Sequence, residues 1–220
     1  MPDDPVKSTR LVLDPNERIA EVLFGLIMVL TFTGSLSVAE AGHAEVREML
    51  VGALGCNLAW GVIDGVFYLM GCLAERGHAL LTLRAVRREP DPQTAQAILS
   101  DALPPLVASV LRPAELDTMR QRLKDLPEPP DRARLPKEAW LGALGVFLLV
   151  FFSTLPVVIP FTFMKDITLA LRISNGIAIA MLFLAGHKFG QMTGRRPVWA
   201  GLSMVVLGAA LVAGTIALGG

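Results

Sequence analysis

Residues 139–164 run for 26 positions without a single charged side chain, and this feature decides which solvent the chain folds in. About 20 apolar residues suffice for a helix to cross a bilayer core, where backbone groups must be bonded within the segment itself. Four further runs match or approach that length. Residues 22–39 carry no charge over 18 positions, and residues 197–220 carry none over 24. Residues 49–74 hold only Asp64, and residues 167–186 only Arg172. Composition agrees: 53% of the chain is hydrophobic, 18% is charged and the mean hydropathy is +0.53, whereas soluble domains are about one quarter charged. Lys plus Arg equals Asp plus Glu at 20 each, so there is no net basic field for nucleic acid. Two cysteines, Cys56 and Cys72, cannot build a disulfide framework. The fold expected is an all-α integral membrane protein with five transmembrane helices.

Residues 1–19 are polar and mix acids with bases, unlike the basic leader of a signal peptide, so residues 22–39 read as a retained span. The expected layout is an N-terminal segment (1–19), spans one and two (20–74), a soluble insert (75–138) and spans three to five (139–220). Seventeen of the 20 Lys and Arg residues fall in the N-terminal segment, the insert and the connection holding Lys188, Arg195 and Arg196. The positive-inside rule places these in the cytoplasm and the C-terminus outside. The insert holds nine of the 15 prolines. Residues 74–88 continue span two as helix until Pro90 and Pro92 end it. Residues 93–103 suit a helix. After Pro113, the residues Leu116, Met119, Leu123 and Leu126 form one apolar stripe, and residues 127–136 read as a linker. Two or three short helices are expected, too few for a catalytic domain.

Ionisable groups within a span are costly and are the first functional suspects. On span one, Glu21, Gly25, Met28, Phe32 and Ser35 share a helical face. An acid with a thioether suits Fe2+ or Mn2+ better than Ca2+; the plainer reading is an interfacial glutamate beside a packing stripe. On span two, Asn57, Gly61, Asp64 and Tyr68 share a face. A central Asp costs about 2.5–3.5 kcal/mol on insertion scales, so Asp64 must face the bundle interior, a cavity or a partner. It serves either as a functional acid or in a hydrogen bond to Thr31, Thr33 or Ser153. Cys56 is a soft ligand or a small buried hydrophobe. Glu40, His43, Glu45 and Glu48 make an acidic loop, and Glu75 with His78 lie three apart at the start of the insert. Gly61 and Gly65 form a small-residue motif for close helix contact. Pro156 and Pro160 are expected to break span three. Phosphate-binding loops, dinucleotide fingerprints, zinc-protease motifs and nucleophile elbows do not occur in the sequence, so an enzyme is not expected, nor a resident cofactor.

Two spans, an insert and three spans resemble the vacuolar iron transporter (VIT/CCC) family, from about residue 17 to the end. Span one, from Glu21 through Gly25-Leu26 to Leu30-Thr31, is similar to the family's opening. Glu48 through Gly52-Ala53 to Cys56 resembles its second span. Pro156-Val157-Val158-Ile159-Pro160-Phe161 resembles its span-three proline element, and Gly186-His187-Lys188 with Trp199-Ala200-Gly201-Leu202 its closing signature. The resemblance implies a homodimeric divalent-metal/proton antiporter that exports cytosolic Fe2+ or Mn2+ along a path between the subunits. It places Glu21 and Glu48 at the family's acids. Met28 stands where the family has a second Asp, and Cys56 where it has Met. The insert, with ten acids against eleven bases, departs from the family's Glu-rich, metal-collecting one.

The expected path thus comprises Glu21, Met28, Glu48, Cys56 and Asp64, supported by Asn57, Thr31 and Ser35, with Asp64 replacing the missing span-one acid. The Gly-bearing faces of spans one and two, and the need to hide Asp64, point to a dimer through those spans. The alternative is a non-transporting scaffold or sensor that keeps the transporter fold. Ala, Arg and Pro richness points to a bacterial inner membrane.

Overall fold

The computed structural model describes residues 15–34 and 43–217. It is helical, with no strand among the described residues. The elements are α1 (Pro15–Gly34), α2 (His43–Arg88), α3 (Pro92–Ala102), α4 (Pro105–Val110), α5 (Pro113–Asp125), α6 (Lys137–Phe163), α7 (Ile167–Met192) and α8 (Pro197–Ala217). Among the described residues, three helices are long and apolar enough to cross a membrane, namely α2, α6 and α7. Apolar stretches in α1 (Ile19–Thr31) and α8 (Pro197–Leu211) are shorter. Most of the expected N-terminal segment, together with Ser35 and Glu40, lies outside the described residues, as do the side chains of Phe32, His43 and Glu45.

The chain divides into two compact units, Met1–Tyr68 with Glu138–Gly220, and Leu69–Lys137. In the first, Leu26, Val29 and Leu30 of α1 pack with Val157 and Val158 of α6 and Ala178 and Leu182 of α7. Pro156 and Pro160 do not break α6, which stays helical through both to Phe163. Each proline costs one backbone hydrogen bond, but neighbouring helices can take up the freed groups in a bundle. The carbonyls left without a donor are those of Phe152 and Pro156, and Ser174 of α7 adds a bond to the adjacent Val157 carbonyl at 2.7 Å. Asp166 caps α7, accepting from the Leu169 N–H at 3.1 Å, as an N-cap acid should. The helix outruns its apolar stretch and ends at Thr193-Gly194, where Gly194 takes φ 68°, a left-handed conformation that glycine adopts freely.

The Leu69–Lys137 unit packs Val86 of α2 with Leu99 of α3 and Leu116 of α5. Met119 and Leu123 join this core, but Leu126 does not: it lies just past α5, and the expected stripe stops there. The basic side chains of α2 hold the unit closed. Arg87 donates to the carbonyls of Lys124 at 2.9 Å, Pro127 at 3.2 Å and Leu126. Arg84 donates to the Pro130 carbonyl at 2.7 Å. The Lys124 carbonyl is one of the orphan acceptors that a helix end leaves, and the others belong to the C-cap and the linker that follows α5. Buried Arg120 donates to the Glu89 and Pro90 carbonyls at 3.3 and 3.2 Å. Part of the insert's basic character is therefore structural. Asp91 caps α3, accepting from the Thr94 N–H at 2.9 Å and the Thr94 hydroxyl at 2.6 Å, and these bonds hold its carboxyl below the usual range.

Candidate functional site

Helices α1 and α2 bring the candidate residues together on two levels. On the first, the Asp64 carboxyl of α2 lies beside the Glu21 carboxyl of α1. Asp64 Oδ2 is buried and has no protein partner. On the second, the Cys56 thiol donates to Met28 Sδ at 3.3 Å. Met28 follows Glu21 by seven residues, about 10 Å of helical rise, so the carboxyl level and the sulfur level are about two turns apart.

Asn57, the residue next to Cys56, is 1% exposed, and neither its Nδ2 nor its Oδ1 has a protein partner. Buried polar side chains are nearly always bonded, and an unsatisfied one costs roughly 1–3 kcal/mol. Asn57→Leu, with the same branching and without orphan atoms, is expected to raise stability by about 1 kcal/mol where the helices accommodate its larger methyl groups. Thermal unfolding in detergent reads the gain as a higher midpoint.

The hydroxyls expected to bond Asp64 are engaged elsewhere. Thr31 donates to the Ile27 carbonyl at 2.9 Å and Ser153 to the Val150 carbonyl at 2.8 Å. Thr33 reaches the Leu30 carbonyl at 3.2 Å and Asn175 Oδ1 on α7 at 3.4 Å. Each hydroxyl finds an acceptor in the preceding turn of its own helix, which removes it from competition for a distant carboxylate. The sequence reading passes over Asn175, although Ser174-Asn175 interrupts an apolar run and could have signalled it. Glu48 is exposed on α2 and is not joined to either level: Cys56 lies eight residues further on, about 12 Å along the helix.

The glycine faces of α1 and α2 meet α6 of the same chain. Gly25 leaves the space that the Ser153 hydroxyl fills. A Cβ on Gly61 would stand 3.0 Å from the Phe147 ring, and one on Gly65 3.2 Å from the Ala143 carbonyl. Gly142 on α6 leaves room for the Tyr68 ring. Gly61 and Gly65 therefore serve close packing inside the protomer, where the sequence had offered them to a second copy. A groove of about 320 Å³ lined by Val22, Leu148, Leu149, Phe152, Ser153 and Met181 is apolar and contains none of the candidate acids. In the Leu69–Lys137 unit, Glu75 and His78 line a groove of about 350 Å³ with Thr82 and Leu83. No group of three or more His, Cys, Asp and Glu side chains suited to a metal occurs among the described residues. Any such ion would need the thioether, the amide or further oxygen ligands as well.

Comparison with known proteins adds two findings. A model of the VIT family matches residues 83–220. A protein named vacuolar iron transporter, from Centaurea cyanus, is 26% identical over 210 residues, which cover 88% of this chain and 83% of the relative.

Proposed function

Because the chain belongs to the VIT family, a family of membrane metal transporters, we propose that it moves a divalent transition metal, Fe2+ or Mn2+, out of the cytoplasm in exchange for protons. The observation that carries this reading is the Glu21–Asp64 carboxyl pair between α1 and α2. A divalent cation sheds its water only where anionic oxygen replaces it, and the pair offers two carboxyls in one protomer. Two neighbouring carboxyls can hold a proton or surrender it to let a cation take their oxygens, so in this reading one site serves either cargo. The buried Asn57 amide and the Met28–Cys56 pair supply further donor atoms on the same two helices.

In this reading the protein is a multi-pass membrane protein with α1, α2, α6, α7 and α8 as five spans. The Lys/Arg asymmetry supports a cytoplasmic N-terminus and insert (75–138) and an external C-terminus, and the Ala, Arg and Pro richness supports a bacterial inner membrane. The functional unit is a homodimer. Its contact uses the face of α2 where Gly52 and Glu48 are exposed and Gly55 has open space beside it, because Gly61 and Gly65 are occupied by α6. The test is uptake of Fe2+ and Mn2+ into proteoliposomes under an imposed pH gradient. Uptake that rises with the gradient, with proton flux in the opposite direction, is expected, and Asn57→Leu should slow it. Absence of flux for both metals, in a protein that remains folded, would favour the scaffold reading.

A further inference from the structure

We propose that Met28 and Cys56 form a sulfur site on the metal path that favours thiophilic divalent cations, the class of Zn2+ and Cd2+, over Mn2+. This rests on the metal-transport reading for its cargo and adds a selectivity that the carboxyl pair does not supply. Cys56 is a free thiol, and its Sγ lies 3.3 Å from Met28 Sδ across two helices. In a tetrahedral site with metal–sulfur bonds of about 2.3 Å, two sulfurs stand about 3.8 Å apart. The pair therefore needs to open by only about 0.5 Å to grip such an ion. A linear two-coordinate ion with bonds of that length would need about 4.6 Å, an opening of about 1.3 Å. The spacing thus favours a tetrahedral divalent ion over a linear monovalent one.

Sulfur also sorts the divalent ions. Thiolate and thioether ligands favour soft and borderline metals, whereas Mn2+ is served by carboxylate and water. The neighbouring Asn57 amide, buried with both polar atoms unpartnered, leaves bonding capacity at the same level of α2. Binding is to the thiolate: the S–H bond breaks, an S–metal bond forms, and the proton passes to water, so one proton is released for each ion held. An ion moving between the two levels exchanges oxygen ligands for sulfur ones.

The full-length protein in detergent, titrated with Cd2+, should develop a sulfur-to-metal charge-transfer band. That band should persist in Cys72→Ser and vanish in Cys56→Ser. In proteoliposomes the ratio of Cd2+ to Mn2+ uptake should fall about tenfold in Cys56→Ser, the scale on which changes around a metal site alter affinity. Cys56→Ala serves as the second variant should the serine disturb folding. A band that survives both Cys56 variants, or an unchanged uptake ratio, overturns the sulfur site while leaving metal transport standing. A Cys56-dependent band in a protein that carries no metal leaves the sulfur site standing and overturns the transport reading.

Discussion

Asp64→Asn is expected to lower proton-coupled metal flux by about 100-fold, the upper end of the loss seen when a partner of a metal site is removed. The amide keeps the size and polarity of the side chain, so the membrane-inserted fold should persist and elute unchanged in size-exclusion chromatography. What it loses is an anionic oxygen and a proton carrier. Glu21 then faces an amide in place of the carboxyl it contacts now, and the site has one carboxylate to balance a double charge. Met28→Asp restores an acid on α1, seven residues beyond Glu21, and should recover part of the flux in the Asp64→Asn background. Uptake measured in proteoliposomes across wild type, the single variants and the double variant separates the roles. Normal flux in Asp64→Asn would make Asp64 structural. Failure to fold would make its contact with Glu21 a packing interaction, and the case for transport would then rest on Glu21 and Glu48.

The helices were legible in the sequence because hydropathy is a local property. Residues 139–164 anticipate α6 (Lys137–Phe163), and the uninterrupted passage of α2 to Arg88 follows from the lack of any breaker before Pro90. The proline break was a misreading. A proline removes one donor, but whether the helix gives way depends on the neighbours that pack on it, and α6 is held by α1 and α7. Partners were harder to read than elements. Helical spacing put Glu21 with Met28, and Asn57 with Asp64, on single faces. Nothing local says that Glu21 lies opposite Asp64, or Met28 opposite Cys56, since that depends on the register between two helices. The same gap explains Gly61 and Gly65. Their i, i+4 spacing predicts a close contact without naming what makes it, and α6 makes it. The insert's charge balance likewise hid its use, because an arginine bound to helix-end carbonyls reads in sequence as one more surface base.

Gly186 is the position in the α7–α8 pair where a single methyl group should do the most damage. A Cβ there would stand 2.7 Å from the Ala200 carbonyl oxygen, 2.7 Å from Met204 Cγ and 3.0 Å from Gly201 Cα. The side chain could swing away, but two of the three obstacles are backbone, so the helices themselves must separate. Gly201 is equally tight from the other side, with the Phe183 ring at 2.7 Å, which leaves little room to slide. Membrane helices associate largely by such close packing, and overpacking a fitted contact costs about 1–3 kcal/mol or more. Gly186→Ala is therefore expected to lower the thermal midpoint in detergent, and Gly186→Val to prevent accumulation of folded protein. Gly176, on the same helix, has nothing within 4 Å of its would-be Cβ. Gly176→Ala removes only a helix-propensity penalty, so it should be neutral or raise stability by up to about 1 kcal/mol. The two alanine variants make the same chemical change and should move the midpoint in opposite directions. Equal shifts would mean that α7 and α8 do not meet at Gly186 and that the glycine serves the helix alone.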